Sequence, residues 1–226
     1  KLVLWEHSTL SMHSKFTISK YSTINKMLIK YFYKRAYAII AVSKGVKEDL
    51  ISQYNLSKGI IHVIYNSVSL SKIIKDADIE EVYPSINEKN FIVAVGRLIK
   101  KKNYINLITA YKILRDSKII DNINLIIIGD GPEKENISRR IDQLRLSDNI
   151  ILVGFKINPF PLIKKSSLLV LSSNYEGFGI ILIEALTLQK QIISTDCQSG
   201  PREILDDGKY GLLVPVNDPV KLAKGI

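Results

Sequence analysis

The sequence predicts an α/β protein built on parallel, doubly wound sheets. Short apolar runs of strand type alternate with segments of helical length and period. The loops that follow several of those runs hold glycine beside charged residues. From residue 91 onward the alternation is regular, which argues right-handed crossovers over one parallel sheet.

Residues 2–5 read as a short buried strand, with Glu6, His7, Ser8 and Thr9 at its end. Ligands of open α/β sheets bind outside the carboxyl ends of strands, so His7 stands where chemistry is done. A lone histidine there also has a plain surface or structural reading. His13 and His62 lack partners at metal-ligand spacing and are assigned no role. Across residues 14–38 every formal charge is positive: Lys15, Lys20, Lys26, Lys30, Lys34 and Arg35. Between them lie Phe16, Ile18, Tyr21, Ile24, Met27, Leu28, Tyr31, Phe32 and Tyr33. Such a helical stretch suits an anionic membrane face, where each cation contributes ~1 kcal/mol. The competing reading is an amphipathic helix with a solvated lysine face. Residues 39–42 form a second strand, Ser43 an N-cap for a helix over 44–53, and residues 60–64 a third strand. Residues 69–89 are polar, contain Pro84 and show no sustained period, so they read as a linker between domains at 1–68 and 90–226.

In the second domain strands are expected at 91–95, 124–128, 150–153, 168–171, 192–195 and 211–214. Helices are expected at 106–115, 133–145, 161–164 and 180–186. The stretch 173–186 reads SNYEGFGIILIEAL and follows a strand, so it is a strand, glycine turn and helix. Bare N–H groups at such a helix start favour an anion. Glu176 lies in the turn and Glu184 eight residues on, within the helix. Three more loops fall at strand ends. GRLIKKKN (96–103) sets Gly96, Arg97 and Lys102 as a diphosphate clamp, with Lys100 and Lys101 read as solvated. In Gly129-Asp130-Gly131-Pro132 the glycines allow a ligand to approach, though the third glycine of a dinucleotide fingerprint is missing. The third loop, 196–203, holds Cys197, which reads as a small buried thiol rather than a nucleophile, having no histidine nearby in sequence.

Composition bounds the function classes. Of 226 residues, 46% are apolar and 24% charged, enough for a sizeable core in one large or two small domains. The net charge of +10 admits nucleic acid, an anionic membrane or an anionic substrate. Twenty-five lysines against seven arginines, amid much Ile and Asn, is also what an AT-biased coding sequence yields. No nucleic-acid module is recognisable, and lysine lacks arginine's bidentate geometry, so no nucleic-acid partner is expected. The single cysteine excludes an internal disulfide and fits a reducing compartment. No apolar run approaches the ~18 residues of a membrane span, and no signal peptide is visible. The chain opens at Lys1 within a strand-like run, and a fragment is expected.

GRLIKKKN, IIGDGP, SNYEGFGIILIEAL, STDCQSGPREIL and GLLVPVNDP, in that order over residues 94–219, together resemble the family-four retaining glycosyltransferases. The cysteine-containing motif is most similar to the branch that builds bacterial lipopolysaccharide, capsule or lipid-linked oligosaccharides. The resemblance implies the GT-B fold: two Rossmann-like doubly wound domains, here with the first incomplete and the final helix cut short. It also implies roles. Glu176 would hold donor-sugar hydroxyls and His7 would contact that sugar across the cleft. Glu184 would bind the ribose. Arg97, Lys102, Gly96 and Gly131, with the N–H groups of Phe178, Gly179 and Ile180, would serve the donor diphosphate. No metal or other cofactor is implied. The partners implied are a nucleotide-sugar, with uridine favoured, and a lipid-linked or oligosaccharide acceptor. The place implied is the cytoplasmic face of a bacterial plasma membrane, with residues 15–35 touching anionic lipid. A non-catalytic nucleotide-binding fragment is the alternative.

Overall fold

A computed structural model describes residues 1–16, 22–80, 90–120 and 123–226. Its first part holds β1 (Val3–Glu6), α1 (Leu10–Phe16), α2 (Ser22–Tyr33), β2 (Ala38–Ala41), α3 (Lys44–Tyr54) and β3 (Ile61–Val63). The three strands pair in parallel in the order β1-β2-β3. After α4 (Leu70–Ala77) come β4 (Phe91–Val95), α5 (Tyr104–Asp116), β5 (Asn124–Ile128), α6 (Lys134–Gln143), β6 (Ile150–Gly154) and α7 (Phe160–Lys165). The chain continues through β7 (Leu168–Leu171), α8 (Ile180–Thr187), β8 (Gln191–Thr195), α9 (Pro201–Ile204), β9 (Leu212–Val214) and α10 (Pro219–Gly225).

The second sheet is parallel throughout and runs β6-β5-β4-β7-β8-β9. Chain progress is outward from β4 on one side and outward from β7 on the other. The direction therefore reverses between β4 and β7, whose pairing sets Ile92 opposite Leu168 and Val93 opposite Leu169. Loops at the carboxyl ends of these two strands diverge to opposite faces and leave a crevice. Period-two alternation divides the core between the faces. Ile92, Ala94, Leu125, Ile127, Leu168 and Val170 pack with residues of α5, α6 and α10. Phe91, Val93, Ile126, Ile128, Leu169 and Leu171 pack with residues of α4, α7 and α8. With both faces covered, these strands read as unbroken apolar runs.

Two expectations are corrected. Residues 2–5 do not form a buried strand: Val3 and Trp5 are half exposed, at 51% and 52%, because β1 lies on an edge of its sheet and only its Leu4 face meets the core. Residues 69–89 were expected to lack periodicity, yet 70–77 form α4, whose Ile73 and Ala77 are buried in the second core. Eight residues with an i, i+4 pair are too short for a window-based period to register. Residues 81–89, with Pro84, lie outside the described residues. The N-cap at Ser43 is as expected, its hydroxyl accepting from Val46 N–H at 3.1 Å. The basic stretch divides into the end of α1, all of α2 and the turn after it that holds Lys34 and Arg35; Ile18, Lys20 and Tyr21 lie outside the described residues.

If α4 belongs to the second core, Ile73→Ala should destabilise that core by about 2–5 kcal/mol, as truncations of buried isoleucine do. A linker residue would change stability by no more than about 0.5 kcal/mol. Urea unfolding followed by circular dichroism separates the two outcomes.

Candidate active site

The crevice between β4 and β7 is where two of the sequence-predicted residues, Lys102 and Glu176, meet. Lys102 arrives on the loop after β4 and Glu176 on the loop after β7, and the lysine Nζ donates to Glu176 Oε1 at 2.6 Å. Ser173 Oγ donates to the same oxygen, also at 2.6 Å. Lys101 Nζ lies 3.9 Å from Oε2 and 5.5 Å from the Tyr175 ring centre. The glutamate is 5% exposed. Burial alone would push its pKa up; the Lys102 and Lys101 charges, with the hydrogen bonds from Lys102 and Ser173, hold it below the ordinary carboxylate range. Glu176 is therefore ionised at neutral pH inside the protein.

Three loops are tied together around this charge. Ser172 Oγ donates to Lys102 O at 2.9 Å and Asn174 N–H to Lys101 O at 2.7 Å, joining the loops after β4 and β7. Thr195 Oγ1 donates to Ser173 O at 2.6 Å from the end of β8. Gly179, at φ 92°, turns the chain into α8. The N–H groups of Phe178, Gly179 and Ile180 find no acceptor among the described residues. Phe178 sends its ring into the core of the first sheet, stacked on Tyr65 with centroids 5.2 Å apart.

His7 comes to the same place from the other sheet. A Cβ on Gly177 would stand 1.9 Å from His7 O, so the loop after β1 presses directly on the residue that follows Glu176. The His7 side chain itself is exposed and stacks on Trp5 at 5.5 Å. Gly96 lies under Lys102, where a Cβ would sit 3.1 Å from its Cε. Gly131 makes its close approach to the chain's own loop: a Cβ there would be 2.4 Å from Leu98 O. Arg97 is exposed and pairs with no other side chain among the described residues. Glu184 lies half-buried in α8, also unpaired, and burial raises its pKa.

Sequence reasoning missed Ser173 and misread Lys101, which belongs to the charge cluster and is not simply solvated. Serine three residues before a turn glutamate was a local signal for the first; nothing in a lysine run marks the second. Cys197 is buried as read: burial foremost, and then the Glu176 charge, push its thiol up to about 12. Among the described residues no cluster of His, Cys, Asp and Glu gathers as a metal site. A cleft of about 480 Å³ lined by Lys112, Arg115, Asp116 and Arg145 lies at the opposite end of the sheet, where strands begin. Open sheets of this kind do not bind their ligands there.

Residues 75–226 match the family described as Glycosyl transferases group 1, and residues 1–72 match Glycosyltransferase Family 4. The chain is 34% identical to a Campylobacter jejuni enzyme named N-acetylgalactosamine-N,N'-diacetylbacillosaminyl-diphospho-undecaprenol 4-alpha-N-acetylgalactosaminyltransferase, aligned over all of this chain and 59% of that protein. It is 31% identical to the lipopolysaccharide 1,6-galactosyltransferase of Escherichia coli, over 79% of this chain and 48% of the relative. The chain thus spans from just under half to about three fifths of these relatives' lengths. Among solved structures, Anabaena HepE in complex with UDP and glucose superposes with a TM-score of 0.80 at 22% identity, over 99% of this chain and 60% of HepE. That likeness is one of fold, and the fold is GT-B.

The two glutamates should respond oppositely to neutralisation. Glu176 has a depressed folded pKa, so its stabilisation is present above the ordinary value of 4.5 and fades as pH falls through the lower folded value. Glu184 has a raised folded pKa, so stability is lost as pH rises from 4.5 through that higher value. At pH 7, Glu176→Gln should lower the unfolding free energy and Glu184→Gln should raise it. Denaturant titrations between pH 3 and 7 read both, and equal signs would refute the assignment.

Proposed function

Since this chain belongs to the Glycosyl transferases group 1 family, with a Glycosyltransferase Family 4 segment before it, we propose that it moves a hexose-type sugar from a UDP-sugar to a glycan or lipid-linked acceptor. Transfer retains the anomeric configuration and serves bacterial cell-surface polysaccharide or lipopolysaccharide synthesis. Residues 1–68 form the acceptor-side unit in this reading and residues 90–226 the donor side. The observation that carries it is the buried Glu176–Lys102 pair at the strand-order reversal, beside three N–H groups with no acceptor among the described residues. The UDP and glucose bound by HepE, and the lipid diphosphate in the Campylobacter relative's name, support it.

In this reading Glu176 accepts hydrogen bonds from donor-sugar hydroxyls, and His7 meets the sugar from across the cleft. Glu184, unpaired in α8, receives the ribose hydroxyls. Arg97 and Lys102 neutralise the diphosphate with the N–H groups of Phe178, Gly179 and Ile180, while Gly96 and Gly131 keep the backbone close. Lys102 has three donors, so one can stay on Glu176 while others take phosphate oxygen. The anomeric C–O bond to phosphate breaks and its electron pair leaves with the diphosphate. The acceptor hydroxyl bonds to the same face of that carbon and gives its proton to a phosphate oxygen of the leaving group. Fixed cations and amide dipoles stabilise the charge that develops.

The membrane contact rests on α2. Ile24, Met27, Leu28, Tyr31 and Phe32 are exposed together with Lys26 and Lys30, with Lys34 and Arg35 just beyond, and α2 contains no acidic residue. No helix among the described residues is long and apolar enough to cross a membrane. The proposed contact is peripheral, at the cytoplasmic face.

Glu176→Gln should lower sugar transfer by about 10²-fold or more, as loss of a preorganised group does, while UDP affinity by calorimetry changes only a few-fold. NMR of the product from an α-linked donor should show an α-linkage; a β-linkage would reject retention. UDP binding without transfer or hydrolysis by the full-length protein would instead favour a non-catalytic binder. Replacing Lys26, Lys30 and Lys34 with Glu should abolish sedimentation with phosphatidylglycerol vesicles, and unchanged sedimentation would remove the membrane contact.

A further inference from the structure

The two sheets are joined at a second place, which the donor chemistry does not use. Helix α3 begins with Lys44 and Gly45, whose N–H groups point out of the helix start and need acceptors. The Ser43 side chain serves only Val46. The acceptor for the other two is Glu203, from α9 of the second unit: Lys44 N–H donates to Oε2 and Gly45 N–H to Oε1, each at 2.9 Å. Tyr65 of the first unit adds its hydroxyl to Oε2 at 3.2 Å. A carboxylate at a helix start is also favoured by the helix dipole.

The residues just before Glu203 reach the catalytic loop. Ser199 Oγ donates to Glu176 O at 2.7 Å. Ser199 stands at φ 64°, a left-handed conformation that a non-glycine residue keeps only when its surroundings enforce it. On its other side it abuts α3: a Cβ on Gly45 would lie 2.2 Å from Ser199 Cβ. Gly200, at φ 86°, lies so close to Phe178 that a Cβ would meet its carbonyl oxygen at 2.1 Å. Five residues, 199–203, therefore touch the first unit's helix on one side and the backbone of Glu176 and Phe178 on the other.

We propose that Glu203 is a positioning residue. Its carboxylate latches the second unit to the start of α3 and so fixes the separation of His7 and Glu176. The latch follows from the contacts alone; its consequence for turnover rests on the glycosyl-transfer reading above. Glu203 is within reach of two N–H groups only as a carboxylate or an equally long acceptor. A glutamine in its place must turn an NH2 group toward a donor, and an alanine at position 45 must displace Ser199.

The test measures the distance between the units in the full chain. Probes are attached to Lys58→Cys and Asp148→Cys, both exposed, while buried Cys197 stays unlabelled. The unsubstituted latch should give one narrow distance distribution. Glu203→Gln should broaden it and raise the separated population about tenfold, the change expected from losing one charge-assisted hydrogen bond, and Gly45→Ala should broaden it by displacing Ser199. In transfer assays kcat should fall with that population, while donor KM and UDP affinity stay within about twofold. Unaltered distances in both variants would overturn the latch, whereas broadened distances with unaltered kcat would overturn the positioning role. Absence of transfer by the unsubstituted protein would count against the glycosyl-transfer reading alone, since the distances still decide the latch.

Discussion

The ion pair between Glu176 and Lys102 is the constraint to which the surrounding loops conform. A carboxylate taken out of water loses several kcal/mol of hydration, about as much again is lost by the ammonium, and only close geometry with further hydrogen bonds offsets this. Here the offset comes from Lys102, 74 residues away on the loop after β4, and from Ser173, on the glutamate's own loop. The pairing requires β4 and β7 to be neighbours, which holds only because the sheet reverses its order between them. Ser172, Asn174 and Thr195 then fix the loop backbones so that neither charge can swing back to water.

Close backbone approach is the second requirement, and glycine meets it. Gly129 abuts Gly96 O, where a Cβ would come to 2.0 Å, and Gly177 abuts His7 O. The first contact holds two loops of the second sheet together. The second brings the first sheet against the loop that carries Glu176. A side chain at either site would force the two backbones apart, so the spacing of charges depends on positions that bear no charge.

Much of this was legible in the chain. The strands of the second sheet were readable because both faces are covered, which turns each into a short apolar run between turn residues, and Glu176 stood out at a glycine turn after one of them. What failed to show was non-local. Glu203 and its partners on α3 are separated by more than 150 residues, and Lys101 differs from Lys100 only in what the fold sets beside it. Exposure of Trp5 depends on which strand forms the sheet edge. The length of α4 was below what periodicity can detect, although its Ile73–Ala77 spacing was present in the sequence. Local chemistry thus revealed elements and one carboxylate, while the contacts between units required the fold.

The two glutamates that the sequence presents as a pair are not equivalent in physical terms. Glu176 has its charge balanced before any ligand arrives, and the folding free energy has already covered the cost of burying it. Glu184 is half-buried with no cation beside it among the described residues, so ionisation is costly and its oxygens are free to accept. An acceptor of that kind gains most from neutral hydroxyl donors, which supply hydrogen bonds without adding charge. A balanced pair gains most from a ligand that brings both hydroxyls and negative phosphate oxygens, because Lys102 can share its donors between carboxylate and phosphate. On the proposed reading, a sugar diphosphate ester lying from Glu176 toward Glu184 presents hydroxyls at both ends and its charge in the middle, which is the order in which these side chains can receive it.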